Sequence, residues 1–309
     1  MGGMVLGGFW PDLSVHHYVR FGRALVAQVK SYADSASLYV MSLPISFLSD
    51  FGHRDELVGV VHGVIATIDP EIRVVDIGHG IDRGDIRSGA LSLLRAIQYL
   101  PKGVTLAVVD PGVGTTRAAI AVETEWGLFV GPDNGLLAPA VAMTGGASRV
   151  HAITNPELII PSQGATFAGR DIFAPTAAAL ASGQAKLEEV GDGVDPNTLM
   201  PMVLPLPEVE TDFVRGATWW VDHFGNVQTN ISPEDMALLG LAPGSIAEVE
   251  IGSRRHEIPF VSTYGAVYEG KSLLLVDSHG LIALCVNGGR ADENYNLGTD
   301  RPFTVRPVF

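Results

Sequence analysis

The sequence predicts an α/β N-terminal domain with a mainly parallel central sheet, followed by a smaller all-β C-terminal domain. Three observations carry this. Apolar, β-branched runs alternate with stretches of helical period from Ile45 to Ser182. A segment without periodicity follows, broken by prolines at 196, 201, 205 and 207. Beyond it, short apolar runs separated by Gly, Asn and Ser succeed one another to the C-terminus. The first rhythm marks βαβ units, and the last marks an antiparallel β-domain. The boundaries are 1–42 for an N-terminal extension, 43–190 for the α/β domain, 191–208 for a linker and 209–309 for the β-domain.

Within the extension, residues 16–36 fit one amphipathic helix, and the basic start, apolar centre and cleavage site of a signal peptide are lacking. Residues 45–48 read as a strand running into Ser49-Asp50-Phe51-Gly52. Leu57, Val60, Val61, Val64, Ile65 and Ile68 then recur at helical spacing until Asp69-Pro70 stops them. Residues 72–77 form a strand with Asp76 near its end and Gly78-His79-Gly80 after it; 85–100 form a helix broken by Pro101. Residues 104–109 are apolar throughout, as in a strand buried on both faces, and end at Asp110-Pro111-Gly112-Val113-Gly114. Residues 118–123 pair with 128–130, which lead into Gly131-Pro132-Asp133-Asn134-Gly135. Residues 172–182 are an alanine-rich helix closed by Gly183. In the β-domain, strands are expected at 218–222, 227–231, 246–251, 256–260, 272–276, 281–286 and 303–307.

Composition narrows the function. Lys and Arg number 20 against 34 Asp and Glu, a net charge of −14, which argues against a nucleic-acid or anionic-membrane partner. It suits a cationic small molecule. The single cysteine, Cys285, lies in an apolar run and reads as core, so no disulfide framework exists and a cytoplasmic setting is expected.

The candidate chemistry lies at strand ends. Ligands of open α/β sheets bind beyond the carboxyl ends of strands, and Asp50, Asp76 and Asp110 stand at or near such ends, suggesting a shared polar crevice. Arg117 follows Asp110 across a glycine turn and can curl back to it. The Gly112–Thr116 turn has no lysine, so it is no phosphate loop, and it fails the dinucleotide fingerprint. His53, His79 and His223 stand near acids without the spacing that puts two imidazoles on one ion, so no metal is expected. No nucleophile-elbow serine is present. Asn226, in Asp222-His223-Phe224-Gly225-Asn226, and the Asn287-Gly288 turn are either structural turns or amides that read a purine edge. The residues alone support a two-domain α/β enzyme that binds a small polar ligand.

Taken as a set, Ser49-Asp50-Phe51-Gly52, Val109-Asp110-Pro111-Gly112-Val113-Gly114-Thr115, Pro132-Asp133-Asn134-Gly135-Leu136, Phe167-Ala168-Gly169-Arg170-Asp171 and the run from Asp222 to Asn230 resemble one family in order and spacing. It is the S-adenosyl-L-methionine (SAM) hydrolases (adenosine-forming), or SAM hydroxide adenosyltransferases, which share a superfamily with fluorinase and chlorinase. The resemblance runs from about Ile45 to the C-terminus. It implies that water attacks the 5′ carbon of SAM and releases adenosine and methionine, with no cofactor. It also implies a homotrimer with the substrate between the N-terminal domain of one subunit and the C-terminal domain of the next.

Residue by residue, the resemblance gives Asp50 to the ribose hydroxyls and Asp55 with Asp222 to the methionine ammonium. Asn226, Asn287 and Gly288 are given to adenine, and Ser278 to the methionine carboxylate. The halogenases have arginine where this chain has His279. Phe167 and Gly169 are given to substrate binding, Gly169 at the position of the halide site. Of the family's Asp–Arg–His catalytic set, Asp110 and Arg117 match, whereas the histidine position holds Ala168. Three explanations stand: a substitution introduced to trap substrate, a natural variant with residual activity, or a SAM- or adenosine-binding protein without turnover. The completeness of the surrounding set favours the first. A halogenase or a metal-dependent hydrolase are the remaining alternatives.

Overall fold

Seven strands build the first sheet of the computed structural model, which describes residues 41–308. The helix expected at 16–36, with all but two residues of the 1–42 extension, lies outside the described residues. The strands are β1 (Ile45–Ser49), β2 (Val74–Gly78), β3 (Val104–Val108), β4 (Ala119–Glu123), β5 (Leu128–Pro132), β6 (Arg149–Ala152) and β7 (Gly193–Val194), in spatial order β2-β1-β3-β5-β4-β6-β7. The helices α1 (Leu57–Ile68) and α2 (Ile86–Ala96) are the crossovers that keep β1, β2 and β3 parallel, and β5 joins β3 in the same sense.

The sheet is mixed, which corrects the expectation of a mainly parallel one. β4 runs antiparallel to β5 and β6, and β6 antiparallel to β7. The reason is loop length. Only four residues separate β4 from β5, where a parallel crossover needs a dozen or more. Thr124 closes this short loop, its hydroxyl accepting from Trp126 N (3.1 Å) and Gly127 N (3.3 Å).

Alternation along the strands sends side chains to two faces. Ile45, Phe47, Val104, Leu106 and Val108 meet α1 and α4 (Ala174–Ser182) on one side. Leu48, Ala107 and Val109 meet α2 and α3 (Ala138–Met143) on the other. α4 begins with a π-turn over Gly169–Phe173 rather than at residue 172, and Gly183 ends it in a left-handed conformation (φ 73°), as expected.

The second sheet holds β8 (Glu208–Val209), β9 (Val214–Val221), β10 (Val227–Thr229), β11 (Ile246–Ile251), β12 (Arg254–Pro259), β13 (Ser272–Val276), β14 (Ile282–Val286) and β15 (Pro302–Pro307). Its order is β12-β11-β15-β9-β10-β14-β13 with β8 on β9, and every pairing is antiparallel. A bridge from Phe260 to Leu274 spans the open edge and nearly closes a barrel around Val214, Val249, Leu284 and Phe303. Two short helices, α5 (Pro233–Leu238) and α6 (Ala291–Tyr295), interrupt it. Within 191–208, β7 pairs with β6, and β8 pairs with β9 at the segment's far end.

The halves interlock. The Arg95 guanidinium on α2 lies 4.7 Å from the ring centroid of Trp220 on β9, and Arg87 pairs with Asp300. Leu199, Met202 and Trp220 pack on the α2–α3 side of the first sheet.

Candidate active site

β1 and β3 are neighbours, so their carboxyl ends deliver Asp50 and Asp110 together. Asp50 N still donates to Val108 O (3.3 Å), the last rung of that ladder. The turn after Asp110 needs glycine at 114, where φ is +76°, and it returns Arg117 to the aspartate. Arg117 Nε donates to Asp110 Oδ1 (2.8 Å) and Nη2 to Oδ2 (2.5 Å). This is a two-pronged pair, stronger and more directional than a single contact. Its side chains are only 5% exposed for Asp110 and 14% for Arg117, and the guanidinium lies 5.1 Å from the Phe173 ring centroid.

Asp50 Oδ2 accepts from Gly84 N (2.8 Å). Burial pushes its carboxyl up and the Asp110 charge adds to this, against the pull of the Gly84 N–H. An acid held above its ordinary 3.8 favours the fold most when protonated. That contribution is full below 3.8 and is lost as pH rises through the folded-state value. The Asp50→Asn variant is therefore expected to melt higher than the parent at neutral pH, with the difference shrinking toward pH 3. Thermal unfolding across that range checks it, and a lower melting temperature at neutral pH contradicts it.

Phe167, Ala168 and Gly169 lead into the π-turn. Phe51 and Phe167 meet edge to face with centroids 5.5 Å apart. A Cβ at Gly169 would lie 2.7 Å from Phe51 Cζ and 3.0 Å from Phe167 Cε2, so only glycine fits beneath the two rings. Ala168, 8% exposed, lines a cavity of about 590 Å³ together with Arg117, Thr115, Ile160 and Asp171. Asp171 is occupied by Arg170 (2.6 and 3.1 Å). Asp55 stands exposed just ahead of α1.

In the second half, Asp222 organises its own turn. Its Oδ1 accepts from Phe224 N (2.9 Å) and Asn226 N (2.8 Å), and its Oδ2 from Asn226 Nδ2 (2.8 Å). Gly225 (φ +82°) is required there, since a side chain would also collide with the Asp292 carboxylate. Asn226 thus has one amide hydrogen committed to Asp222. Asn287 is used in the same way, Nδ2 donating to Val267 O (2.8 Å). Ser278 and His279 sit on a turn held by Asp277, whose Oδ1 accepts from His279 N (2.8 Å) and Leu281 N (3.1 Å).

Asp222, Asn226, Ser278 and His279 share a cavity of about 370 Å³. Asn226, Asn287, Gly288, Phe224 and Tyr264 line an adjoining one of about 550 Å³. The first half alone walls the cavity at Arg117 and Ala168, and the second half alone walls these two. One chain therefore brings Asp110 to Arg117 and Asp222 to Asn226, but lines none of these three cavities with both sets.

Asp76 departs from the expected crevice. Its Oδ1 accepts from His79 Nε2 (3.0 Å) and His62 Nε2 (2.9 Å), and His79 Nδ1 lies 2.7 Å from Ser49 Oγ. The sequence reading missed this Ser–His–Asp–His chain; the Asp76–His79 spacing at a strand end was its one visible signal. Tyr264 and Phe224 were also missed. Among the described residues no three His, Cys, Asp or Glu side chains are grouped so as to hold a metal ion, and no helix is long and apolar enough to cross a membrane. Burial pushes the Cys285 thiol up to about 12, which leaves it inert at neutral pH.

The chain matches the SAM hydroxide adenosyltransferase N-terminal domain over residues 45–191 and the C-terminal domain of the same family over 216–304. It belongs to that family. Among its relatives, the (R)-S-adenosyl-L-methionine hydrolase of Salinispora tropica is 47% identical over 249 residues, 81% of this chain and 92% of that one. The fluorinase of Nocardia brasiliensis is 28% identical over 281 residues, 82% of this chain and 93% of that one. A crystal structure of a conserved protein from Thermotoga maritima superimposes with a TM-score of 0.78 at 34% identity, covering 85% of this chain and 99% of its own. Both halves of the fold are thus matched by the family.

Proposed function

We propose that this chain hydrolyses S-adenosyl-L-methionine to adenosine and L-methionine by attack of water on the 5′ carbon, slowly because Ala168 stands at the family's histidine position. The observation that carries the reading is the buried Asp110–Arg117 fork beside Asp50. The leaving group is a sulfonium, already cationic, so no acid has to protonate it and neither metal nor cofactor is called for. Catalysis reduces to holding one water in line with the C–S bond, away from bulk solvent. Asp110, locked by Arg117, accepts a hydrogen bond from that water. Gly169, under Phe51 and Phe167, offers no hydroxyl, and Asp110 places negative charge at the nucleophile; both disfavour halide.

Asp50 accepts from the ribose hydroxyls. The free oxygens of the Asn226 and Asn287 amides accept from the adenine amino group, with the Gly288 turn alongside. Asp222 and Asp55 draw the methionine ammonium, and Ser278 with His279 face its carboxylate. The (R) in the relatives' name describes the sulfonium, a pyramidal and hence stereogenic centre, and we extend that preference to this chain.

Because the N-terminal and C-terminal sets line separate cavities in one chain, a homotrimer that joins them across each subunit boundary completes three sites. Light scattering is expected to give a trimer, and a monomer that still binds SAM would contradict this. Ala168 also favours a second reading, SAM binding without turnover. Incubation with each sulfonium epimer followed by chromatography for adenosine, beside calorimetry with SAM and adenosine, separates the two. Adenosine release supports hydrolysis; tight binding with no release supports the second reading.

A further inference from the structure

The Ser49–His79 contact follows from strand register. β1 and β2 slip between Phe47 and Leu48, so that Leu48 pairs with Gly78. The next residues, Ser49 at the last position of β1 and His79 just past β2, then lie side by side, and both are closed off from solvent. Donor directions fix the imidazole's state. The Asp76 carboxylate can only accept, so Nε2 carries the hydrogen of the neutral ring, and Ser49 Oγ, while accepting from Phe51 N (3.3 Å), donates to Nδ1. Nδ1 is then the unprotonated nitrogen, and Nε2–H donates to Asp76 Oδ1, which His62 also reaches. The ring is packed 4.5 Å from Phe47 and 5.4 Å from His53 between centroids. The backbone adds a second tie, Gly52 N donating to His79 O (2.7 Å). The turn Ser49–Gly52, which carries Asp50 and Phe51 into the site, is thus stapled to β3 through Asp50 N and to His79 at both of its ends.

We propose that His79 is a positioning residue: through Ser49 it fixes the turn that aims Asp50 at the ribose, while Asp76 and His62 hold its ring in the tautomer this requires. The role rests on the ribose reading of Asp50. Burial holds the imidazole below its ordinary 6.5 despite the adjacent Asp76, so the clamp is closed at neutral pH. The charged and titratable groups that face the ring are Asp76, His62 and His53. When Nδ1 takes a proton, the Ser49 hydroxyl loses its buried acceptor.

Adenosine binding by calorimetry on the full protein tests the clamp. The variants His79→Ala and Ser49→Ala are expected to weaken adenosine about tenfold, the upper range for one hydrogen bond. His79→Asn restores most of the affinity, because the Asn oxygen stands where Nδ1 stood and accepts the same proton. Affinity falls in acid as His79 and Asp50 protonate, and the fall is smaller in Ser49→Ala, where only the Asp50 part remains. Long-range proton–nitrogen NMR on the parent protein shows Nδ1 unprotonated. A role in folding alone would move melting temperature without the Asn rescue. Loss of adenosine in Asp50→Ala with full affinity in both His79→Ala and Ser49→Ala, or an Nδ1-protonated ring, overturns the positioning role. Full affinity in Asp50→Ala overturns the ribose reading and takes the positioning role with it.

Discussion

Ala168→His is expected to raise adenosine release from SAM by about 10²–10⁴, the usual contribution of a positioned general base. At 1.36 kcal/mol per decade this is about 3–5 kcal/mol of barrier. The structure has room for it. Ala168 packs in the first core and also borders the cavity of about 590 Å³ lined by Arg117, which offers space beside it for a longer side chain. Asp171, the acid in the same wall, is already forked to Arg170 and does not divert the new ring. The measurement is initial rate of adenosine formation, parent against variant. A rate unchanged by the histidine would mean that Ala168 is not what limits turnover.

Asp110→Asn is expected to remove residual hydrolysis, by about 10² or more, while SAM still binds. The isostere keeps an oxygen to accept from Arg117 and so preserves the turn. It loses the charge that Arg117 holds in place and that, in the proposed reaction, polarises the water. In the proposed reaction Asp110 would touch the nucleophile rather than the substrate's recognition groups, so calorimetric affinity for SAM is expected to stay within about threefold while the rate falls, a split expected when an interaction exists only in the transition state. Activity retained in this variant would place the chemistry elsewhere.

Much of the fold was written in local pattern. β1, α1 and β3 are continuous apolar or periodic runs, and Arg117 returns to Asp110 because the glycines between them permit one tight path. The mixed character of the first sheet was less visible. β6 is Arg-Val-His-Ala, too short and polar to announce a strand, and β7 is two residues paired only by tertiary contact. α3 and α6 fall below the length at which helical period can be read. The Asp110–Arg117 pair, seven positions apart, was legible in the sequence; the Ser49–His79 contact across strands was not. Ser49 and His79 are thirty positions apart, and a register slip between β1 and β2 makes them neighbours. Asp76 looked like a third crevice acid because strand position alone cannot show that two histidines claim its carboxylate.

The central claim is water attack at the 5′ carbon, and isotope tracing tests it most directly. The protein, with Ala168→His to secure turnover, is incubated with (R)-S-adenosyl-L-methionine in heavy-oxygen water, and both products are read by mass spectrometry. The account predicts one heavy oxygen on the 5′-hydroxyl of adenosine and none in methionine. Heavy oxygen in methionine, a product that keeps sulfur on the adenosyl group, or no adenosine despite bound substrate would contradict it.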